Sequence, residues 1–296
     1  MPLFKRPDGD LITDEWHVRR IMPYLMRGRN ESIVLHEQML DLTRTKPWLH
    51  EYNRCHTQSV TLFHLVLWAV GTHLLHRKPG VNRFVAGGRL YQRKGVFVTF
   101  SAKKSFRHDS PLLTAKLAFP DPHETFADCA RRIVDAVERG RSDVEQWVDK
   151  ELRLALSMPG WLLRGVIAIL RGLDRINLLP GWYIAGDPVY TSCLVANLGS
   201  VGLDNTYHHL YEHGTASIVM VLGTPRRYVC LDEQAGGLAS REGVQLRWSL
   251  DERVNDGLYC AGAERYLARV VEDPDKHIGP PTLGADKHLG DRAGRP

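Results

Sequence analysis

The sequence predicts an α+β protein, because helix-like and strand-like segments are both present and do not alternate strictly. Residues 59–78 carry apolar side chains at helical spacing, namely Leu62, Leu65, Val66, Ala69, Val70 and Leu74. Residues 83–101 instead read as short apolar segments separated by turn residues, which is typical of strands joined by tight turns. Neither pattern repeats along the chain, so we expect no solenoid or repeat architecture.

The first 78 residues are predicted to contain an arm and a helix. Residues 1–30 are polar and mixed in composition, and we expect an extended N-terminal arm. The helix at 59–78 has a C-terminal signal, because the basic run 76–78 precedes Pro79 and Gly80. Basic residues suit the last turn of a helix, and a Pro-Gly pair does not continue it.

Strands and a second helix are predicted next. The strands cover 83–86, 90–93, 96–101 and 112–119, and Gly87-Gly88 forms the first turn. The stretch Asp121-Pro122-His123-Glu124 predicts a helix start, since Asp can cap, Pro suits the first turn and an acid follows three residues after the cap. Further strands are predicted at 189–197, 216–223, 228–231 and 244–250, followed by a last helix at 258–272. The tail 274–296 is rich in Pro, Gly, Asp and Lys, and we expect it to be flexible.

The composition is that of a soluble globular protein, with 43% hydrophobic and 25% charged residues in a chain of 296. Lys and Arg are scattered despite the net charge of +5, so no basic run indicates nucleic-acid binding. No apolar run reaches the roughly 18 residues that span a bilayer, and the N-terminus lacks the apolar core of a signal peptide. The five cysteines are odd in number and widely spaced, which favours reduced thiols and a cytoplasmic location.

Five segments, in order, carry a more specific signal than the general pattern. They are 60–70 with the turn at 78–82, then 95–100, 196–202, 216–223 and 251–273. Together they resemble the catalytic domain of the dihydrolipoyl acyltransferases, the acyl-transferring cores of 2-oxo acid dehydrogenase complexes. Segment 196–202 is similar to the family's Ser-Asn-Leu-Gly-x-x-Gly, and 251–257 is similar to its active-site signature Asp-His-Arg-x-x-Asp-Gly.

The resemblance implies a domain layout, an assembly and a ligand class. It implies an acyltransferase-type domain over 31–273, with a helical insertion near 142–183, and the chloramphenicol acetyltransferase-like fold, a mixed sheet flanked by helices. It also implies a homotrimer with active sites between subunits, where the family's His and Ser come from opposite sides of a shared channel. A larger cage stays open as a partner state, and coenzyme A or acyl-CoA is the implied ligand.

Two positions depart from the family at its chemical groups. Glu252 occupies the position of the catalytic His, and Ala196 occupies the position of a Ser that donates to the oxyanion. The His takes a proton from a thiol, whose pKa is about 8.5 when free, and a Glu of ordinary pKa about 4.3 is a far weaker base. Asn197 and Asp256 match the family, in which the Asp is mainly structural and fixes an Arg near the turn.

The resulting functional expectation has two classes. The first is a trimeric protein without the usual chemistry, acting as a scaffold or as a binder of an acyl-CoA-type ligand. The second is a working coenzyme A-dependent acyltransferase that uses substitute residues such as Glu252. Asp251 and Glu252 could share a proton, or they could be two solvated acids at a turn.

Two other groups of residues allow alternatives. His208, His209 and His213, with Glu212 beside them, could bind zinc, but no Cys or known spacing supports a metal, so a polar loop is favoured. Residues 161–173 alternate apolar side chains with arginines, which fits either a helix whose apolar face is buried in the protein or a peripheral membrane or lipid contact. We expect burial, because Asp174 and the acids at 143–151 would be repelled by anionic lipid.

Overall fold

A mixed sheet organises the fold in a computed structural model that describes residues 4–103, 112–141, 156–204, 206–232 and 236–285. The strands of the described residues are β1 (Gly9–Leu11), β2 (Ile33–Asp41), β3 (Arg83–Ala86), β4 (Arg89–Arg93), β5 (Phe97–Lys103), β6 (Leu112–Ala118), β7 (Cys193–Asn197), β8 (Ile218–Leu222), β9 (Arg226–Asp232) and β10 (Gly237–Asp251). The large sheet has the order β2-β10-β8-β7-β5-β6, and β9 pairs with the first half of β10. β7 runs parallel to β5 and to β8, and the other pairs are antiparallel.

Helices flank this sheet, as the sequence predicts. They are α1 (His17–Leu25), α2 (Thr45–Cys55), α3 (Leu62–Trp68), α4 (Phe126–Arg141), α5 (Gly160–Arg175), α6 (Gly181–Gly186), α7 (Gly257–Glu272) and α8 (Pro274–His277). α3 continues as a π-helical stretch, Ala69–Leu74, and a last turn, Leu75–Arg77. The predicted α+β class is confirmed. Among the described residues, no helix is both long enough and apolar enough to cross a membrane.

The main core lies between one face of the large sheet and the helices α3, α4 and α7. Alternate residues of a strand point to the same face, and β10 contributes Val244, Leu246, Trp248 and Leu250. Val70, Ile133 and Leu267 are fully buried against this face from the three helices. A smaller cluster on the opposite face joins Leu210, Val219 and Val221, with Ala196 partly buried beside them.

The N-terminal arm is not extended throughout, because residues 4–30 contain a strand and a helix. β1 pairs with β4, and β4 pairs with β3, which makes a separate three-stranded sheet. Arg6 is buried and binds Asp8 and Asp174, each at 2.8 Å. Its guanidinium also lies over the ring of Phe84, at 5.1 Å from the centroid. A buried, doubly paired Arg fixes the arm to the body, which composition alone does not reveal.

Several elements differ from the sequence prediction in their bounds. α4 begins at Phe126 and not at Pro122, because Thr125 accepts from the Asp128 amide at 3.2 Å and its hydroxyl donates to the Asp128 carboxylate at 2.7 Å. Asp121 instead accepts from the His123 amide within a turn. β2 and α2 were not among the predicted elements. Pro274–His277 forms a short helix at the start of the predicted tail, and residues 286–296 lie outside the described residues.

The expectation that the apolar face of the helix at 161–173 is buried in the protein holds only in part for the described chain. No residue of α5 is buried, and only the side facing Leu179, Ile184 and Tyr190 is partly covered. Residues 142–155 of the same predicted insertion, including the acids at 143–151, lie outside the described residues. Leu170 and Leu173 are thus packed against the protein, whereas Trp161 and Ile169 are exposed.

We predict that Gly71 in the π-helical stretch does not tolerate a methyl group. A Cβ at this position would lie 2.4 Å from the ring of Phe119, which is fully buried. Gly71→Ala should therefore lower the free energy of unfolding by about 1–3 kcal/mol. The matched control is Gly165→Ala in α5, where a Cβ meets no heavy atom within 4 Å.

The control should gain up to about 1 kcal/mol, because Ala is the better helix former. Urea unfolding followed by circular dichroism measures both changes. Equal stability for the two variants would contradict the packing of the π-helical stretch against Phe119.

Candidate functional site

The turn between β10 and α7 is built on a buried ion pair. Asp251 ends the strand and is 1% exposed, and Arg253 is 2% exposed. Arg253 donates from Nη2 to Asp251 Oδ2 at 2.7 Å and from Nε to Oδ1 at 2.8 Å, a bidentate contact. The Arg253 amide also donates to Oδ1 at 3.1 Å. Two parallel charged hydrogen bonds fix the orientation of both side chains.

Groups from the N-terminal region complete this pair. The Ser32 hydroxyl donates to Asp251 Oδ1 at 3.0 Å. Arg253 Nη1 donates to the carbonyls of Met26 and Arg27, at 3.0 and 3.1 Å. The chain just after α1 and the start of β2 are thereby joined to the turn. A buried charged pair is tolerated when its remaining hydrogen-bonding groups are also satisfied, which is the case here.

Glu252 stands at the exposed tip of the turn. Its backbone is held, since its amide donates to the Ser32 carbonyl at 2.9 Å and its own carbonyl accepts from Arg19 Nη1. Within the described part of the chain, its carboxylate has no hydrogen bond or ion pair. Asp251 contacts Arg253 and Ser32 and not Glu252, so the hydrogen bonds do not support proton sharing. The alternative of two solvated acids is wrong for buried Asp251.

Asp256 has a structural role at the start of α7. Its Oδ1 accepts from the Tyr259 amide at 2.8 Å, which caps the helix. Such a cap contributes about 1 kcal/mol to stability. The resemblance implied that an Asp at this position fixes an Arg near the turn. In this chain Asp251 holds that Arg, and Asp256 holds the helix terminus.

Ala196 and Asn197 lie at the C-terminal end of β7. The Asn197 side-chain oxygen accepts from the Ser200 amide at 3.2 Å, and its carbonyl accepts from the Ser200 hydroxyl at 2.8 Å. These bonds hold the 3-10 turn Gly199–Val201. Ala196 is part of the apolar cluster around Val221. A methyl group offers no hydrogen-bond donor at this position.

Within a single chain, Glu252 does not lie near Ala196 and Asn197. In the register of β10 with β8, Leu250 lies opposite Ile218 and Leu246 lies opposite Leu222. Asn197 lies opposite that same Leu222 in the parallel pair of β7 and β8. Glu252 therefore lies past the end of β8 that begins with Ile218. Asn197 lies level with the other end of β8, at Leu222. At about 3.3 Å per residue the two ends are separated by at least about 13 Å along the strand.

A thiol near the turn was not singled out from the sequence. Cys260 lies one turn into α7 and is partly exposed. Burial raises its pKa to about 11, with Glu264 and Asp256 adding to the effect. The thiol is therefore protonated near neutral pH and is a poor nucleophile. Close to the buried pair of the turn, burial lowers the pKa of the Arg29 guanidinium, and the charge of Asp251 opposes that effect.

The histidines considered as zinc ligands have other contacts. His213 Nε2 lies 2.9 Å from Asp187 Oδ2, and the rings of His208 and His209 stack with centroids 4.5 Å apart. Glu212 accepts from the amides of Arg29 and Asn30 at 3.1 and 3.0 Å. Over the described ranges, no three His, Cys, Asp or Glu side chains form a group that could hold a metal ion.

A cavity of about 930 Å³ lies at the other end of β10 and does not include the turn at 252–256. Its lining contains both acids and bases, several of which form ion pairs. Arg241 binds Asp41 at 2.9 Å and Asp232 at 3.0 Å. We therefore assign no cofactor to this cavity.

Comparison with solved structures identifies the fold. The cubic core of the pyruvate dehydrogenase multienzyme complex matches 93% of this chain and 93% of its own, at 15% identity and a TM-score of 0.56. The dihydrolipoamide acetyltransferase of Azotobacter vinelandii matches at 16% identity and a TM-score of 0.56, covering 90% of this chain and 93% of that one. Its structure addresses the role of a serine, a histidine and an asparagine in the catalytic mechanism.

A chloramphenicol acetyltransferase also matches, at 12% identity and a TM-score of 0.51, covering 90% of this chain and 98% of that one. The comparison with protein-family models finds no match, and the comparison with curated proteins finds none. Identities this low show the fold alone. The expected chloramphenicol acetyltransferase-like fold is confirmed.

We predict that the two neighbouring acids of the turn differ sharply in their effect on stability. Asp251→Asn leaves the buried Arg253 charge without its partner and should cost about 3–5 kcal/mol in the free energy of unfolding. Glu252→Gln, at the exposed tip, should change stability by less than about 0.5 kcal/mol. Urea denaturation of both variants measures the difference. Similar values for the two would show that the ion pair does not hold the turn.

Proposed function

For a chain with the acyltransferase-core fold, we propose a homotrimer whose channels between subunits no longer carry out ordinary acetyl transfer. The protein would act as a scaffold or as a binder of an acyl-CoA-type ligand. One observation carries this proposal. The turn that would present the catalytic base is rigidly built around Asp251 and Arg253, yet it ends in an exposed Glu252 and not in a His.

The positions of the site residues support an assembly. Glu252 and Ala196 lie at opposite ends of the sheet within one chain, so they could meet only across a boundary between two chains. In the Azotobacter enzyme, the histidine and the asparagine of the catalytic mechanism are four positions apart. Glu252 and Asp256 have the same spacing in this sequence. The cubic core among the similar structures keeps a larger cage open as the assembled form.

Two tasks of acyl transfer lack their usual groups, namely removal of the thiol proton and stabilisation of the negative charge on the oxyanion. Acyl transfer to or from a thiol requires a base for the thiol and a donor for the oxyanion. General base catalysis contributes about a hundredfold to ten-thousandfold, and one oxyanion donor contributes about a hundredfold to a thousandfold. An exposed carboxylate at 252 and a methyl group at 196 supply neither group in its usual form.

A second function is favoured by one specific observation. The Glu252 carboxylate is free of partners among the described residues, while its backbone is fixed on both sides by Ser32 and Arg19. A carboxylate becomes a stronger base when it is buried, and a neighbouring subunit could bury it in a channel. A coenzyme A-dependent acyltransferase with Glu252 as its base is therefore the alternative. Binding of coenzyme A with measurable thioester turnover would favour it over the scaffold.

The ligand and the location are proposed at the level of class only. Coenzyme A or an acyl-CoA fits the resemblance and the net charge of +5, and no binding residues are assigned. The five cysteines are free in the structure. Reduced thiols accord with a cytoplasmic protein.

We predict that the purified chain forms trimers, or multiples of three. The reason is that the two halves of the candidate site lie too far apart within one chain. Trimer contacts of this kind are heterologous and close by rotation. Mass photometry measures the state directly, and a stable monomer would refute the assembly.

We predict very slow or absent acetyl transfer from acetyl-coenzyme A to dihydrolipoamide. Both chemical groups are replaced, so turnover should fall far below an ordinary rate on the order of ten per second. A spectrophotometric thioester assay measures the rate. Turnover at the ordinary rate would sink the scaffold proposal in favour of the alternative enzyme.

We predict that the double variant Glu252→His with Ala196→Ser gains acetyl transfer relative to the unmodified chain. The rigid turn already presents position 252, so a base placed there needs no new backbone. The single variants are the controls, and each should gain less than the pair. A double variant no faster than the unmodified chain would contradict the idea that the channel is retained.

A further inference from the structure

The helix α5 exposes an apolar row to solvent, formed by Trp161, Leu162 and Ile169. α5 spans 16 residues, or about 24 Å. Trp161 is 75% exposed and Ile169 is 63% exposed, although both are large apolar side chains. Leu162, which lies beside Ile169 on the helical wheel, is exposed as well, and Trp182 in α6 is 68% exposed. A concentration of large apolar side chains on a surface marks a contact site.

Glycines make this row flat. A Cβ at Gly165 or at Gly172 would meet no heavy atom within 4 Å, so nothing in the described chain packs there. On a helical wheel these glycines lie between Trp161 and Ile169. The apolar row can therefore contact a flat apolar surface without a steric clash.

Arginines border the apolar row. Arg164, Arg171 and Arg175 are exposed and are spaced by seven and four residues, which places them on one face of the helix. The helix has one acid, Asp174, and its carboxylate binds Arg6 at 2.8 Å. The surface that α5 presents is thus apolar and basic, without an unpaired carboxylate. The expected repulsion between Asp174 and anionic lipid does not hold, because Arg6 neutralises it.

The C-terminal end of α5 is fixed to the body. Asn177 adopts a left-handed backbone with φ of 64°, and its amide donates to the Phe4 carbonyl at 2.9 Å and to the Tyr91 hydroxyl at 3.0 Å. The turn at Gly87 approaches so closely that a Cβ there would lie 2.2 Å from the Arg175 carbonyl oxygen. The helix is therefore presented in a fixed orientation, which lowers the entropy cost of docking.

We propose that α5 lies in the plane of an anionic lipid membrane, with its apolar row in the acyl boundary and its arginines at the headgroups. An interfacial helix has this combination of exposed Trp, Leu and Ile with a basic face. Charge complementarity selects this occupant over a second copy of the same surface. A second α5 facing the first would bring its own arginines and no unpaired carboxylate on the helix to meet them.

Vesicle flotation of the full chain tests the proposal. The probes are vesicles of phosphatidylcholine alone and vesicles with about 30% phosphatidylserine, whose surface potential attracts basic residues. We expect binding to the anionic vesicles that weakens when salt is raised from about 0.1 M to about 1 M. Arg164→Gln with Arg171→Gln should weaken binding about 25-fold, or about fivefold per arginine.

A matched pair of tryptophan variants tests the apolar row. Trp161→Ala should weaken vesicle binding at least about tenfold, because it removes a large side chain from the acyl boundary. Trp16→Ala is the control, since Trp16 directly precedes α1 and is 81% exposed. It should bind as the unmodified chain does. Both side chains are exposed, so the melting temperature of both variants should stay close to that of the unmodified chain.

Three results would overturn the proposal. They are absence of binding to anionic vesicles, binding that the α5 variants leave unchanged, and loss of the oligomer in the α5 variants without vesicle binding. The last would identify α5 as a contact between copies of this chain. Brominated lipid gives a readout that also works if a variant folds poorly. It should quench tryptophan fluorescence in the unmodified chain and less in Trp161→Phe, and no quenching in the unmodified chain would contradict insertion.

Discussion

The buried pair of Asp251 and Arg253 is the constraint on which the candidate site depends. Burying two charges costs several kcal/mol per ion, and the cost is offset only when every remaining donor and acceptor is satisfied. Here Ser32 and the carbonyls of Met26 and Arg27 satisfy them. The pair therefore joins the end of β10 and the start of α7 to residues more than two hundred positions earlier. The position of residue 252 follows from this network and not from its own side chain.

The fold therefore does not depend on which side chains stand at positions 252 and 196. The contacts that hold the tip of the turn are made by the backbone of Glu252 and by its neighbours, so the side chain at 252 is free to vary without loss of stability. The same holds at Ala196, where the strand pairing of β7 is a backbone property. The backbone thus fixes the position of each side chain without fixing its chemical identity.

The sequence predicts those parts of the fold that local patterns determine. Helical spacing located α3, and the Gly87-Gly88 turn located β3 and β4, because each pattern lies within one element. The motif around Glu252 was located by resemblance. The partners of Asp251 could not be predicted, since Ser32 and Met26 lie far away in the sequence and no spacing reveals them. The exposure of Trp161 and Ile169 on α5 was not predicted, because an apolar helix face predicts burial and only the three-dimensional packing shows which of its residues have a partner.

We propose that residues 252 and 196 face each other only across the boundary between two chains. Co-expressing one variant with Glu252→Cys and another with Ala196→Cys, so that both chains enter the same assembly, and treating the mixture with a short bis-maleimide tests this most directly. The assembled protein should give a covalent dimer of chains in the mixture, well above the background from the native cysteines in either variant alone. A mixture with no more dimer than the separate variants would contradict the account, because the two positions would then not share a site.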